Sequence, residues 1–474
     1  MKKLLKKQEQ QFTRFVPEMV KQELDKLEYK RKDDLYCIID LIYRKQINYK
    51  TQLQKIYGYV QLPQSVFKKL IVDKNSITAG LNFLIDNNII DVNPHYYVGV
   101  FSKSYKIAPE LLSKKVEITI QDKNINKRIG LLEKERKKFF EKKLEFSQTN
   151  YFNTFKIDAD GAYNFIFNQA VTEIKTLCFN KRILLSEADI KDIIDCKRKW
   201  KSNRGRILLY SKELHNILHR FTTNHFKILC IKNGYLYFKR NDTNGRLDTN
   251  LTNLPTVLRQ FLMSDEKLYN VDIKSSQPYF LYTLLKVEKA IPEDELERYG
   301  KLVIGGTFYE YLADEYQKYS GKIKTRTDMK SMLFKIFFSK VESFAKIKEF
   351  FGGLFPNIMN YINETNAIHN ATLANKLSTI ESTTIISVII PALGKLCIKP
   401  FTIHDSFVCR ESEVNTIIDT FNEITTSMYG ISPSLHVKTL LEDSLDSSEV
   451  EEDDDDVLAI WDDEFLNEIN SYSA

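Results

Sequence analysis

Apolar side chains recur at helical spacing from the start of the chain: Leu35, Ile38, Ile39, Ile42 and Tyr43 fall on one face, so residues 13–60 read as helical. From Leu62 the pattern shortens. The run "PQSVFKKLIV" predicts a short helix and "KNSITAGLNFLIDNNII" a second, with Ile77, Leu81 and Leu84 on one side and Asn75 or Ser76 as its cap. Two β-like runs follow, "HYYVGVF" and "SYKIAPE", separated by Ser102–Lys103. Residues 124–146, "NINKRIGLLEKERKKFFEKKLEF", predict a charged amphipathic helix.

Further along, strands and helices alternate in a way that exposes charge at their junctions. "LYNVDI" (268–273) predicts a strand and "QPYFLYTLL" a helix starting near Pro278, which leaves Asp272 at a strand end. In "TRTDMKSMLFKIFFSK" (325–340) Arg326, Lys330, Phe334 and Phe338 recur every four residues, so a helix aligns two cations and two rings. "KPFTIHDSFVCRES" (399–412) predicts a hairpin with His404–Asp405 as its turn, and a charged pair there is costly to place without purpose. The predicted class is α+β, mainly helical.

At 474 residues the chain has room for two or three domains. No purely apolar run approaches a bilayer span, and the basic residues at the start are not followed by an apolar stretch, so neither a membrane helix nor a secretory signal is expected. Six scattered cysteines fit a reducing cytoplasm. His215 and His219 stand one helical turn apart with His225 nearby, but no acidic partner completes a zinc pattern. Charge is uneven. Residues 442–468 hold fourteen of the 63 acidic residues, while all 69 Lys and Arg lie earlier, leaving residues 1–440 at +20. Such a body attracts polyanions through counterion release. The basic run "CKRKWKSNRGR" (196–206), with Trp200, suits phosphate contact and stacking.

Two carboxylates from adjacent strands, Asp272 and Asp405, can hold a pair of Mg²⁺ ions (Mn²⁺ as an alternative) about 3.5–4 Å apart, the arrangement that stabilises both oxygens of a phosphoryl displacement. Arg326 and Lys330 would grip a triphosphate, and Phe334 and Phe338 would stack on a base.

In order and spacing, the three segments resemble motifs A, B and C of family A DNA polymerases and of the phage-type single-subunit RNA polymerases. Motif A is met by Asp272 to Gln277, motif B by Arg326, Lys330, Phe334 and Phe338-Ser339, and motif C by His404-Asp405. "NGRLDTNLTNLP" (244–255) resembles the family's Gly-Arg-Leu segment, which would place Arg246 near primer or substrate. The resemblance spans about 200 residues, 244–440. It implies a right-hand polymerase, with a palm sheet and fingers within 244–440 and a thumb within 111–243. It further implies Asp272 and Asp405 as metal ligands, Lys330 and Arg326 on the phosphates, and His404 and Glu381 near primer or template. Gln277 stands where the DNA enzymes carry a bulky Glu that crowds the 2′-OH, and Phe338 lacks the Tyr hydroxyl that helps select ribose; both favour deoxynucleotides. "HDSF" is closer to the RNA branch.

The two helices and hairpin within 1–110 resemble a winged helix, a module that presses a helix into duplex DNA. The end, 441–474, reads as a disordered acidic tail with apolar anchors such as Trp461, suited to docking a replication partner or the chain's own nucleic-acid channel. No exonuclease signature is evident; Asp158 and Asp160 lack partner acidic segments. The expectation is a template-directed nucleotidyltransferase, DNA polymerase foremost, copying a phage, plasmid or mobile element. A phage-type RNA polymerase or primase, and a non-catalytic initiator on the same fold, are the competing readings.

Overall fold

Phe15 and Val16 are both fully buried in an N-terminal strand, and Pro17 fixes the backbone that follows. This computed structural model describes residues 11–47, 59–71, 73–93, 102–108, 111–112, 114–143, 154–194, 212–236, 238–241 and 243–447. It is mostly helical with small sheets. Two compact units are present: one from the described residues within 1–139 and 157–235, the other from those within 140–156 and 236–451.

In the first unit, β1 (Thr13–Pro17) takes the place of the expected helix start and leads through Pro17 into α1 (Glu18–Lys26). Helix α2 (Lys32–Ile47) buries all five apolar residues predicted for its face. Then come β2 (Val60–Gln61), α3 (Gln64–Lys68), α4 (Lys74–Asp86), β3 (Ile90–Asn93) and β4 (Ser104–Ile107), with the three strands paired in the order β2-β4-β3. One expectation is corrected. Helix α4 is capped by Asp73, whose carboxylate accepts from the amides of Asn75 and Ser76, so those two are the capped residues and not the cap. Strand β3 follows closely on the helix, because Asn88 turns the chain in the left-handed region (φ 56°). Residues 95–101, expected as a strand, lie outside the described residues, as do 196–206.

Strand β5 (Lys115–Thr119) pairs back on β1, and α5 (Lys123–Lys143) follows. One core runs from Val16 to Ile129, so side chains on both sides of residue 110 share it. Its polar pin is Asp40, which accepts from the Phe15 amide at 3.0 Å and meets Arg44 at 2.9 Å and Arg14 at 3.6 Å. Helix α6 (Ala159–Asn180) presents a buried stripe, Ala162, Ile166, Ala170, Ile174 and Cys178, toward α7 (Lys212–Lys232). Asp158 caps α6 through the Gly161 amide, a structural task. His225 packs 4.8 Å from the Tyr163 ring, and burial first and then Lys115 push it down to about 3, which keeps it neutral in a core.

The second unit begins with a hairpin, β6 (Phe238–Arg240) and β7 (Leu247–Thr249), and the short α8 (Thr256–Arg259). Strand β8 (Leu268–Ile273) leads into α9 (Ser276–Glu288), α10 (Glu293–Ile304), α11 (Phe308–Ser320), α12 (Arg326–Phe338), α13 (Ala345–Leu354) and α14 (Pro356–Ile368). A long helix follows: α15 (Thr372–Ser382), a π-helical stretch (Thr383–Ile389) and α16 (Ile390–Lys395). The Ile390 amide reaches back to the Ile385 carbonyl, the wide-turn bond of a π-helix, directly before Pro391, which has no amide to offer. By length and composition Thr372–Lys395 could cross a membrane; just over half of that window is buried inside the protein, packed against α9, α12, α14 and the helix Val414–Tyr429. The chain ends its described part with β9 (Phe401–Ile403), β10 (Ser406–Arg410), α17 (Val414–Tyr429), β11 (Leu435–Thr439) and α18 (Leu440–Ser447).

Four strands form an antiparallel sheet in the order β9-β10-β8-β11. Cross-strand partners share a face, so Val271, Phe407 and Val437 line one side and Asp272, Ser406 and His436 the other. The apolar side packs on α17 through Phe407 and Phe421, with ring centres 6.1 Å apart. Residues 441–447, expected as part of a disordered tail, are helical. Thr439 and Glu442 cap α18 reciprocally, and Leu440 and Ser444 are buried. The remainder of the acidic run lies outside the described residues.

Helix α10 packs on α9 through Gly300, where a Cβ would stand 2.4 Å from the Tyr282 ring. Gly300→Ala gains about 1 kcal/mol of helix propensity but overpacks a ring that cannot retreat, costing about 1–3 kcal/mol. Net destabilisation is expected in urea titrations, whereas Gly353→Ala, with open space around its Cβ, is expected to be neutral or stabilising.

Candidate active site

Period-two alternation in β8 decides which side chains reach the open face of the sheet: Val271 and Ile273 go inward, Asn270 and Asp272 to the other side. Asp272 stands opposite Ser406 on β10 and opposite His436 on β11. Asp405 immediately precedes Ser406 in a two-residue turn that His404 makes possible by adopting the left-handed region (φ 50°). The register therefore brings together two carboxylates 133 positions apart. Their proximity is visible in the acid–base balance: the Asp272 carboxyl is pushed well above its ordinary range, by burial first, then by Asp405 and Asp443, with Lys330 pulling it down.

Helix α12 supplies that lysine. Thr325 and Asp328 form a reciprocal cap at its start, which fixes where its first turn begins. Lys330 lies over the Phe334 ring at 5.9 Å, and Phe334 and Phe338 approach at 5.8 Å. Phe334 is 37% exposed, which leaves its ring open to another flat group. Arg326 pairs with Glu310 at 2.7 Å and stacks on Tyr309 at 5.2 Å. Tyr309 is buried; its hydroxyl is raised by burial and by Asp405 and Glu310, and lowered by Arg326. It thus lies within electrostatic reach of both the hairpin turn and α12.

The β6–β7 hairpin grips the long helix. Gly245 adopts φ 68°, and a Cβ there would come 2.7 Å from Ser382 Oγ, so only glycine permits the approach. Ser382 donates to the Asn244 carbonyl at 2.6 Å, and Arg240 donates to Ser387 at 2.7 Å. Arg246 grips Glu381 with two bonds of 2.8 Å, and Gln277 donates to the same carboxylate at 3.1 Å. Glu381 is fully buried; burial and Asp405 raise it, Arg246 and Gln277 lower it, and the balance stands at about 7.

Six of the ten candidate residues are thus linked: Asp272, Asp405, Lys330, Glu381, Arg246 and Gln277. His404 shares the turn with Asp405. Arg326 is tied to Glu310, while Phe334 and Phe338 join only along their own helix. Sequence reasoning passed over Asn270, Tyr309 and Asp443. Asn270 was findable, because it lies two positions before Asp272 and shares its strand face. Asp443 was hidden inside a charge run, yet Asn270 donates to it at 3.1 Å. Among the described residues, no group of three or more His, Cys, Asp or Glu is arranged to hold a metal as it stands.

No protein-family model matches the chain, and no curated protein matches it. Among solved structures it is similar to the POL domain of Pol1 from M. smegmatis in complex with DNA primer-template and dNTP, at 11% identity over 68% of this chain and 73% of that one, with a TM-score of 0.44.

A carboxyl raised in the folded state contributes stability that is complete below its ordinary value and is lost as pH rises through its folded value, here about 7 for Glu381. Arg246→Gln removes the cation that opposes this loss. In urea titrations the variant is expected to lose about 3 kcal/mol against the parent at pH 8.5 and clearly less at pH 5.5. An equal gap at both pH values would show that Glu381 does not titrate between them.

Proposed function

We propose that the chain is a template-directed nucleotidyltransferase, DNA polymerase foremost. One observation carries the reading: a single sheet register sets Asp272 and Asp405 side by side, within the electrostatic reach of Lys330. Two carboxylates crowded enough to raise one of them are stable together only when protonated or faced by cations, and the oxygen-only donor set is of the kind that Mg²⁺ or Mn²⁺ accepts, with water and substrate phosphate completing the shell. Bound there, divalent ions would supply charge stabilisation to the attacking and leaving oxygens of phosphoryl transfer.

The chain's own residues have separable tasks. Lys330 would hold the triphosphate and hand a proton to departing pyrophosphate, with Arg326 joining once it exchanges Glu310 for a phosphate. Phe334 and Phe338 would stack on the incoming base. Gln277, tethered to Glu381, would stand at the sugar and crowd a 2′-OH, and Arg246 with His404 would face the primer or template. Ser406 after Asp405 keeps RNA synthesis, by a phage-type polymerase or primase, as the second reading.

In the first unit, α4 with the β2-β4-β3 sheet would act as a winged helix on duplex DNA. Its exposed Asn75, Thr78 and Asn82 share one face and are of the kind that reads base edges. Asn82→Asp is expected to weaken duplex binding about tenfold in titrations at fixed salt. Unchanged affinity would remove the role.

The decisive experiment is primer extension on DNA and RNA templates with all four deoxynucleotides and all four ribonucleotides. The parent is expected to extend with deoxynucleotides, Asp405→Asn and Asp272→Asn to fall by about 10³-fold or more, and Lys330→Ala by about 10²-fold. Extension with ribonucleotides alone would favour the second reading. Undiminished extension by Asp405→Asn would end both.

A further inference from the structure

Helix α18 carries three acids, and two are accounted for locally: Glu442 caps the helix through Thr439, and Asp446 pairs with Lys438. Asp443 is turned the other way, toward β8, where Asn270 Nδ2 donates to its Oδ2 at 3.1 Å. Asn270 lies two positions before Asp272 on the same face of the strand.

The second observation concerns the other half of the Asn270 amide. Asn270 is 7% exposed, and its Oδ1 has no hydrogen-bond partner. A buried carbonyl oxygen left unpaired costs about 1–3 kcal/mol, so it ordinarily marks a place where something else donates or coordinates. Here it belongs to the side chain that holds Asp443, on the strand face that carries Asp272. An amide oxygen and carboxylates are hard donors of the class chosen by Mg²⁺ and Mn²⁺.

We propose that Asp443, steered by Asn270, is the third carboxylate of the divalent-cation site, with Asn270 Oδ1 facing the ion or its hydration shell. The assignment rests on the proposed function, since it adds a donor to the pair Asp272 and Asp405. The contrasting view is that the Asn270–Asp443 contact only pins α18 to the sheet. An asparagine at 443 keeps that contact, because its amide oxygen still accepts, but removes the charge.

The test is Mn²⁺ binding to the full chain without nucleotide, followed by calorimetry and by the electron paramagnetic resonance signal of free Mn²⁺. Asp443→Asn is expected to weaken binding about tenfold and Asn270→Ala severalfold, with Asp446→Asn like the parent and Asp405→Asn as the reference loss. Thermal melts without metal establish that each variant is folded. Parental Mn²⁺ binding by both Asp443→Asn and Asn270→Ala, with a loss in Asp405→Asn, overturns the third donor and leaves the two-carboxylate site standing. Parental binding by Asp405→Asn as well, or no uptake by the parent, overturns the proposed site itself.

Discussion

Repulsion between carboxylates that cannot move apart is the constraint around which the second unit is arranged. Asp272 cannot retreat, because the strand that carries it is bonded on both sides, to β10 and to β11. Asp405 is held by a two-residue turn whose left-handed residue leaves little freedom. The sheet's apolar side, packed on α17, supplies the burial energy that keeps this arrangement in place, at about 25 cal/mol for each Å² removed from water. The cost of crowding like charges is therefore borne by a hydrophobic layer on the opposite face of the sheet.

Around that centre the positive groups are graded by how firmly they are held. Arg246 is fixed by two bonds to a fully buried Glu381, within a hairpin that only a glycine lets approach. Arg326 has an exposed partner, Glu310, so the exchange of one anion for another is cheap. Lys330 is exposed and rests on an aromatic face, the least restrictive arrangement of the three. A site built this way has a rigid side, at the long helix, and an adaptable side, at α12.

The segments that hold the candidate residues were legible as structure because their local signals were short-range. A period of two marks β8, a four-residue stripe marks α12, and a charged pair between apolar runs marks the turn at His404–Asp405. What the pattern hid were long-range choices. Thr13–Pro17 carries no helical contradiction by itself; it is a strand because Lys115–Thr119 returns to pair with it. Asn75 and Ser76 are good caps in isolation, but Asp73 precedes them and takes both amides. Leu440–Ser447 was submerged in the composition of the run that follows, although Thr439 and Glu442 spell a cap. Asp443 acquired its meaning only from Asn270, 173 positions earlier.

The wide turn between Ser382 and Ile390 has a consequence for comparison. A helix that bonds five residues back, where its neighbours bond four, holds one residue more than a straight rod of the same length. Everything after it is rotated by about 100° relative to everything before it. Any alignment that runs this rod against an uninterrupted one must open a single-residue gap there. Without that gap, the face bearing Glu381 or the face bearing Leu393 is matched, never both.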